Sequence, residues 1–254
     1  MVPGAAGAGA LGLGRGVTDR LYLADSRLGA MRARVLASVP EGVVLDRTVF
    51  YARSGGQPGD TGLLRWAGGE ARVTDTLKGE GEAILHVLVP GAAAPPVGAE
   101  VEGEIDWERR HRLMRAHTSL HLLSALLREA AVTGGAVGLE RSRLDFDLPS
   151  PPDKEAIEAG LNALIGAGHP VRSEWVDEAA LDASPGLVRT LSVKPPRGAG
   201  RIRLVRIGAG EPPVDLQPCG GTHVASTAEI GPVRVLKIES KGRQNRRVIV
   251  APVG

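Results

Sequence analysis

The pattern of apolar and polar positions changes character near the middle of the chain. Short runs rich in Val, Leu and Ile occupy Arg32 to Val39, Gly42 to Asp46, Arg47 to Tyr51, Gly62 to Trp66, Ala71 to Thr76, Ala83 to Val89 and Val101 to Asp106. Clusters of Gly, Pro and Asp separate them, and the last run alternates apolar with acidic residues as a half-buried strand does. Several short strands at this spacing predict a small barrel or sandwich. Inside the region lies a dense turn signal, Ser54-Gly55-Gly56-Gln57-Pro58-Gly59-Asp60. Pro90 to Gly98 is read as a loop before the last strand.

From Glu108 to Ala131 Gly and Pro disappear, and Leu113, Ala116, Leu120, Leu123 and Leu127 recur at helical spacing. One long helix is expected there, ending before Thr133-Gly134-Gly135. Gly138 to Asp147 reads as a strand, and Asp153 as the cap of a second helix, Lys154 to Gly166. Val171 to Val176 is expected as a strand and Asp177 to Ala183 as a short helix. Arg201 to Ile207, Val233 to Glu239 and Arg247 to Ala251 complete the strands. The expected fold class is α+β: a small N-terminal β-barrel, then a mostly antiparallel sheet with helices, the boundary lying near Trp107.

Composition narrows the setting. The chain has 254 residues, with 43% hydrophobic and only 3% aromatic. It is long enough for one large or two modest domains, with a core that must be aliphatic. Residues 1–17 form an Ala/Gly leader, expected to be disordered because glycine at this density cannot repay its ordering entropy. It lacks the basic start and solid apolar stretch of a signal peptide. A GxGxxG string there (Gly7, Gly9, Gly12) follows no strand and is read as chance. No apolar run reaches membrane-spanning length. Cys219 is the single cysteine, so an intramolecular disulfide is impossible and a cytoplasmic setting is expected.

Candidate chemistry comes from two pairs with equal spacing. His117 and His121 stand four apart on the predicted long helix, which puts both rings on one face. Cys219 and His223 are again four apart, in Gln217-Pro218-Cys219-Gly220-Gly221-Thr222-His223, where two glycines permit a tight loop. Three imidazoles and a thiolate suit tetrahedral zinc. Three of the chain's six histidines and its one cysteine fall into these pairs. His86 is expected to be a partly buried strand residue, and His111 and His169 to lie on the surface. A zinc peptidase is not expected, because such a helix needs Glu directly after its first His and this chain has Thr118. Gln57 is placed to reach a phosphate or ribose from the mobile glycine turn.

The net charge of +2 is uninformative, but its distribution is not. Arg109, Arg110, Arg112 and Arg115 precede the His pair, and Lys237, Lys241, Arg243, Arg246 and Arg247 follow the Cys-His pair. Basic clusters flanking one candidate site point to a polyanion docking over it. Arg109, Arg115, Lys241, Arg243 and Arg246, with Gln57, are the candidate nucleic-acid contacts.

Read in order, Phe50 to Gly62 (FYARSGGQPGDTG), His117 to Leu127 (HTSLHLLSALL), Arg143 to Phe146 (RLDF), Asp215 to Gly231 (DLQPCGGTHVASTAEIG) and Lys237 to Arg247 (KIESKGRQNRR) resemble the alanyl-tRNA editing protein family, AlaX. The likeness runs from about Thr18 to Val250, and the glycine motif places the chain with the family's medium-length members. Ala52 departs from the pattern, where relatives commonly have Pro. The resemblance implies a barrel (18–106) followed by an editing domain (107–254) of the threonyl/alanyl-tRNA synthetase second-additional-domain type. It implies hydrolysis of the ester joining a wrong amino acid to tRNA(Ala), chiefly serine, with glycine second. One Zn2+ would be held by His117, His121, Cys219 and His223. Thr48 is the candidate for the serine side chain, and Gln217 with the Gly220–Gly221 backbone for the ester or terminal adenosine. The partner implied is mischarged tRNA(Ala), with no role at DNA or a membrane. A non-catalytic tRNA-binding module with a structural zinc, or a deacylase of another aminoacyl-tRNA, are the rival expectations.

Overall fold

The computed structural model describes residues 16–183 and 200–253. The Ala/Gly leader and its GxGxxG string lie, apart from Gly16 and Val17, outside the described residues. The N-terminal half carries β1 (Asp19–Arg20), β2 (Ala30–Val39), β3 (Gly42–Leu45), β4 (Arg47–Thr48), β5 (Gly62–Trp66), β6 (Gly69–Lys78), β7 (Ile84–Leu88) and β8 (Glu100–Ile105). Six of these close into an antiparallel barrel in the order β2-β3-β7-β6-β5-β8. Alternation does the sorting: inward Met31, Ala33, Val35, Val101 and Ile105 are buried while their neighbours face out. Closure removes the edges an open sheet of this size would expose.

The expected strand from Arg47 to Tyr51 stops after two residues, where β4 pairs parallel with β1. Val49, Phe50 and Tyr51 turn inward instead, each at most 1% exposed. Their backbone is held from the side, since the Tyr51 amide donates to the Asp60 carboxylate at 2.7 Å.

The second half holds α1 (Trp107–Leu126), β9 (Val132–Ala136), β10 (Ser142–Asp147), α2 (Lys154–Gly166), β11 (Val171–Asp177), α3 (Glu178–Asp182), β12 (Arg201–Ile207), β13 (Asp215–Pro218), β14 (Val233–Ser240) and β15 (Asn245–Pro252). Two antiparallel sheets, β14-β15-β10-β9 and β11-β12-β13, make the α+β class expected. Asp106 caps α1 and Asp153 caps α2 through their side chains. Leu113, Leu122 and Leu123 of α1, Leu161 and Ile165 of α2, and Phe146, Val205 and Val248 of the sheets share one core.

Two strands of the second half escape the sequence pattern. The long helix ends at Leu126 rather than Ala131, and the Thr-Gly-Gly expected to be its stop is the interior of β9. Glycine is a poor strand former, yet here it lies close against the core: a Cβ on Gly135 would lie 2.9 Å from Leu144 Cδ2, which would have to shift. The other is β13, whose Asp-Leu-Gln-Pro the apolar pattern does not mark and which, among the described residues, pairs with β12 alone.

A buried ion pair fastens the halves together. Arg110 of α1 is 0% exposed and Asp60 of the barrel loop 1%. The Arg110 guanidinium donates to the Asp60 carboxylate and to the carbonyls of Ser26 and Val49. The arginine expected in a basic surface cluster is therefore an internal strut.

Candidate metal centre

Helical spacing stacks His117 and His121 on the buried face of α1, with ring centroids 5.3 Å apart. The loop after β13 swings His223 between them, at 4.4 Å and 4.6 Å from the two rings. Cys219 Sγ lies 3.3 Å from His223 Nε2 and 3.7 Å from His117 Nε2. All four donor atoms fall within 4.8 Å of one another. Tetrahedral zinc, bound at roughly 2.0–2.1 Å to nitrogen and 2.3 Å to sulfur, separates neighbouring ligands by about 3.3 to 3.6 Å. The donor set and its spacing fit that ion.

Each histidine has its outer nitrogen engaged. His121 Nδ1–H donates to Asp215 Oδ2 at 2.8 Å. The Thr118 hydroxyl spends its proton on the Met114 carbonyl and accepts the Val224 amide, so at 3.1 Å it can only accept from His223 Nδ1–H. His117 Nδ1 meets Gln57 Oε1 at 2.8 Å. All three rings thereby turn Nε2 toward the centre, the support a metal-ligating imidazole requires. Thr118, which excluded a peptidase base, is such a support.

The loop is tight because Gly221 touches His117. A Cβ there would sit 2.2 Å from His117 Cε1, so no other residue fits. Arg203 of β12 clamps the loop, donating to the carbonyls of Cys219 and Gly221 and to Leu23 of the barrel half. Burial pushes the Cys219 thiol up, but His117 and His223 beside it outweigh this and hold it well below the usual thiol range. The Gly221 amide also donates to Cys219 Sγ at 3.3 Å. Burial pushes the His121 imidazole down, yet the Asp215 carboxylate overrides it and raises it to about 10. Burial and the neighbouring His117 hold His223 well below the usual histidine range.

Several expected roles change. Gln57 is fully buried and bonded to His117 and Thr222, so it cannot reach a phosphate. Gln217 is 7% exposed and donates to Asp215, supporting the His121 partner rather than facing an ester. Gly221 turns its amide to the thiolate, which leaves Gly220, exposed, as the loop's remaining backbone candidate. Thr48 is 0% exposed, with its hydroxyl 2.7 Å from His86 Nε2 and accepting the Phe50 amide at 3.0 Å. These internal partners take up the hydroxyl assigned to the serine side chain. His86 is completely rather than partly buried.

Among the basic candidates, Arg246 is buried and wraps the carbonyls of Pro149, Gly242, Arg243 and Asn245, which removes it from any surface. Arg109 and Arg115 are half-buried and donate to the Gly59 and Ile230 carbonyls. Lys241 pairs with Glu239, and Arg243 is exposed. Sequence reasoning missed Asp215, Thr118 and Arg203. A partial signal existed for the first, since His121 and Asp215 stand in the two segments already linked by the proposed ligands. It also missed a 3-10 turn at Thr227–Ile230, although Ser226 and Glu229 form a legible capping box.

A closed barrel, a long helix and two antiparallel sheets surround a His3Cys cluster, and comparison with known proteins places this chain among synthetase-related domains. Residues 23–109 match the family of class II (A) tRNA synthetases. Residues 202–249 match the threonyl and alanyl tRNA synthetase second additional domain. An alanine–tRNA ligase of Pyrobaculum arsenaticum is 39% identical over 87% of the chain, which spans 25% of that ligase's length. The alanyl-tRNA editing protein AlaX-M of Methanosarcina mazei is 36% identical over 91% of this chain and 95% of its own length. Its counterpart in Methanosarcina acetivorans is also 36% identical, with 98% of its length covered. The chain belongs to the alanyl-tRNA editing protein family. Among the described residues no helix is long and apolar enough to cross a membrane.

Proposed function

We propose that this protein is a trans-editing hydrolase that deacylates mischarged tRNA(Ala), chiefly Ser-tRNA(Ala) with Gly-tRNA(Ala) second, at one Zn2+ held by His117, His121, Cys219 and His223. The observation that carries the reading is the convergence of three Nε2 atoms and one Sγ within 4.8 Å, each ring locked from behind. The relatives' names, which specify alanyl-tRNA editing, support the substrate class. In the same reading, residues 18–106 form the barrel unit and 107–254 the editing unit.

When bound, zinc supplies Lewis acidity that polarises an ester carbonyl or lowers the pKa of a coordinated water. The chain's own residues do the rest. Cys219 is half-buried where the three histidines are buried, so the approach of an ester is assigned to its side. The exposed Gly220 backbone beside it is the proposed donor to the developing oxyanion. Water adds to the ester carbonyl, the ribose oxygen leaves with a proton, and free amino acid and tRNA result. Arg109, Arg115, Lys241 and Arg243 remain the proposed contacts for tRNA phosphates. Sparing of correctly charged Ala-tRNA rests on the serine hydroxyl, because a site built to bond it leaves polar groups unpaired when alanine enters.

A second reading, a tRNA-binding module with a structural zinc, is favoured by one observation: four protein donors fill a tetrahedron, the pattern of closed sites. One assay decides. Ser-, Gly- and Ala-tRNA(Ala) are mixed with zinc-loaded and chelator-stripped protein, and ester loss is followed. Rapid loss of the seryl ester with loaded protein alone supports the hydrolase. No ester loss with the loaded protein would leave the binding module.

A further inference from the structure

We propose that Gln57, from the glycine loop of the barrel, is the positioning residue of the metal centre: its carboxamide locks His117 in the tautomer that presents a lone pair inward, so the barrel sets metal affinity. This rests on the four-donor cluster being a metal site, but not on the substrate.

The assignment follows from an obligate donor. The Thr222 backbone N–H points at one end of the Gln57 amide at 3.2 Å, so that end must be oxygen. The other end then carries hydrogens, and it donates to Thr222 Oγ1 at 2.8 Å. With Oε1 fixed, His117 Nδ1 at 2.8 Å must be the donor, and Nε2 is left unprotonated toward Cys219 and His223. An imidazole in water exchanges its tautomers freely. In the wrong one a hydrogen on Nε2 would face the ion and the donor would be lost.

Gln57 also joins parts of the chain that nothing local connects. Its side chain bridges α1 to the loop bearing Cys219 and His223, with no exposed surface. The loop beneath it is anchored on both sides. Ser54 and Gln57 exchange backbone hydrogen bonds of 2.9 and 3.2 Å, the Val137 amide donates to the Gly56 carbonyl, and Arg109 donates to the Gly59 carbonyl. Gly56 has φ 81°, and a Cβ on it would lie 2.8 Å from the Gly135 carbonyl oxygen, so the glycine permits the loop's approach to β9. The glycine motif is thus a seat for one amide. A substrate-contact role for Gln57 requires the opposite, unchanged metal affinity with altered substrate kinetics.

The test measures zinc affinity of the full chain by chelator competition, with the ligand-field absorption of the Co2+-substituted protein as a second readout. Gln57→Met, which fills the space without an acceptor, is expected to weaken zinc about 10- to 100-fold and to perturb the cobalt spectrum. Gln57→Glu keeps an acceptor for both His117 and the Thr222 amide and is expected to bind within about threefold of wild type. Should Gln57→Met fail to fold, Gln57→Asn, whose amide is too short to reach the ring, takes its place with the same expectation. The proposal is overturned if the acceptor-lacking variant is folded and binds zinc as wild type does, if Gln57→Glu is as weak as Gln57→Met, or if wild type holds no zinc. No substrate enters the measurement, so a failure to hydrolyse aminoacyl ester overturns only the proposed function.

Discussion

The barrel and the helix–sheet half both bury histidine, to opposite effect. In the barrel His86 is fully enclosed: Nδ1 faces the Val43 carbonyl at 3.2 Å, and Nε2 meets the Thr48 hydroxyl. Both nitrogens are satisfied, no acid is among its partners, and burial pushes the ring down to about 4. In the other half His117, His121 and His223 each have Nδ1 held from behind and turn the second nitrogen to a point shared with Cys219 Sγ. A buried imidazole bonded on both sides stabilises a fold, whereas one held from a single side keeps a nitrogen available to a ligand-binding centre. The difference lies in the neighbours, not the residue type.

The largest effect that would break this comparison comes at the shared point. Alanine at both His117 and His121 should remove zinc from the purified protein, by elemental analysis, and abolish seryl-tRNA deacylation with it. Full activity in metal-free protein would end the zinc reading. The His86 counterpart should retain metal.

Next in size is the strut between the halves. Arg110→Met leaves the Asp60 carboxylate buried without its partner, and thermal or urea unfolding should show a loss of about 3–5 kcal/mol. Replacing both residues by apolar ones should recover much of it, and an equal loss in the double variant would show that packing, not charge, is at stake.

His86 sharpens the contrast through pH. Its folded pKa of about 4 lies below the 6.5 of an unfolded chain, so between these values the unfolded state binds the extra proton. Stability contributed by neutral His86 is therefore present above about pH 6.5, falls as pH drops toward 4, and changes no further below it. The total is on the order of 3 kcal/mol, read by urea unfolding across this range. A His86→Gln protein showing the same acid loss would assign it elsewhere.

Smaller still, Thr48→Val should cost about 1–3 kcal/mol by stranding His86 Nε2, with the preference for seryl over alanyl ester unchanged. A collapse of that preference would return Thr48 to substrate recognition. Smallest is Arg243→Ala, exposed and outside both cores, which should weaken tRNA binding slightly and lower the salt dependence by about one counterion without altering melting.

Sequence alone determined what local periodicity and spacing can encode. Short apolar runs from Arg32 onward gave barrel strands, the Gly- and Pro-free stretch gave α1, and two i, i+4 pairs with two glycines between the second gave the cluster. Family motifs added the synthetase-related fold. What only the tertiary structure decided were partners far apart in the chain: Gln57 with His117 and Thr222, Asp215 with His121, Asp60 with Arg110. Whether a polar side chain faces solvent or a buried partner depends on elements that arrive from elsewhere. That is why Gln57, Gln217 and Arg246 looked like surface or substrate contacts and are internal. Hydrophobic pattern is a property of neighbours in sequence, whereas the hydrogen bonds that orient a site belong to neighbours in space.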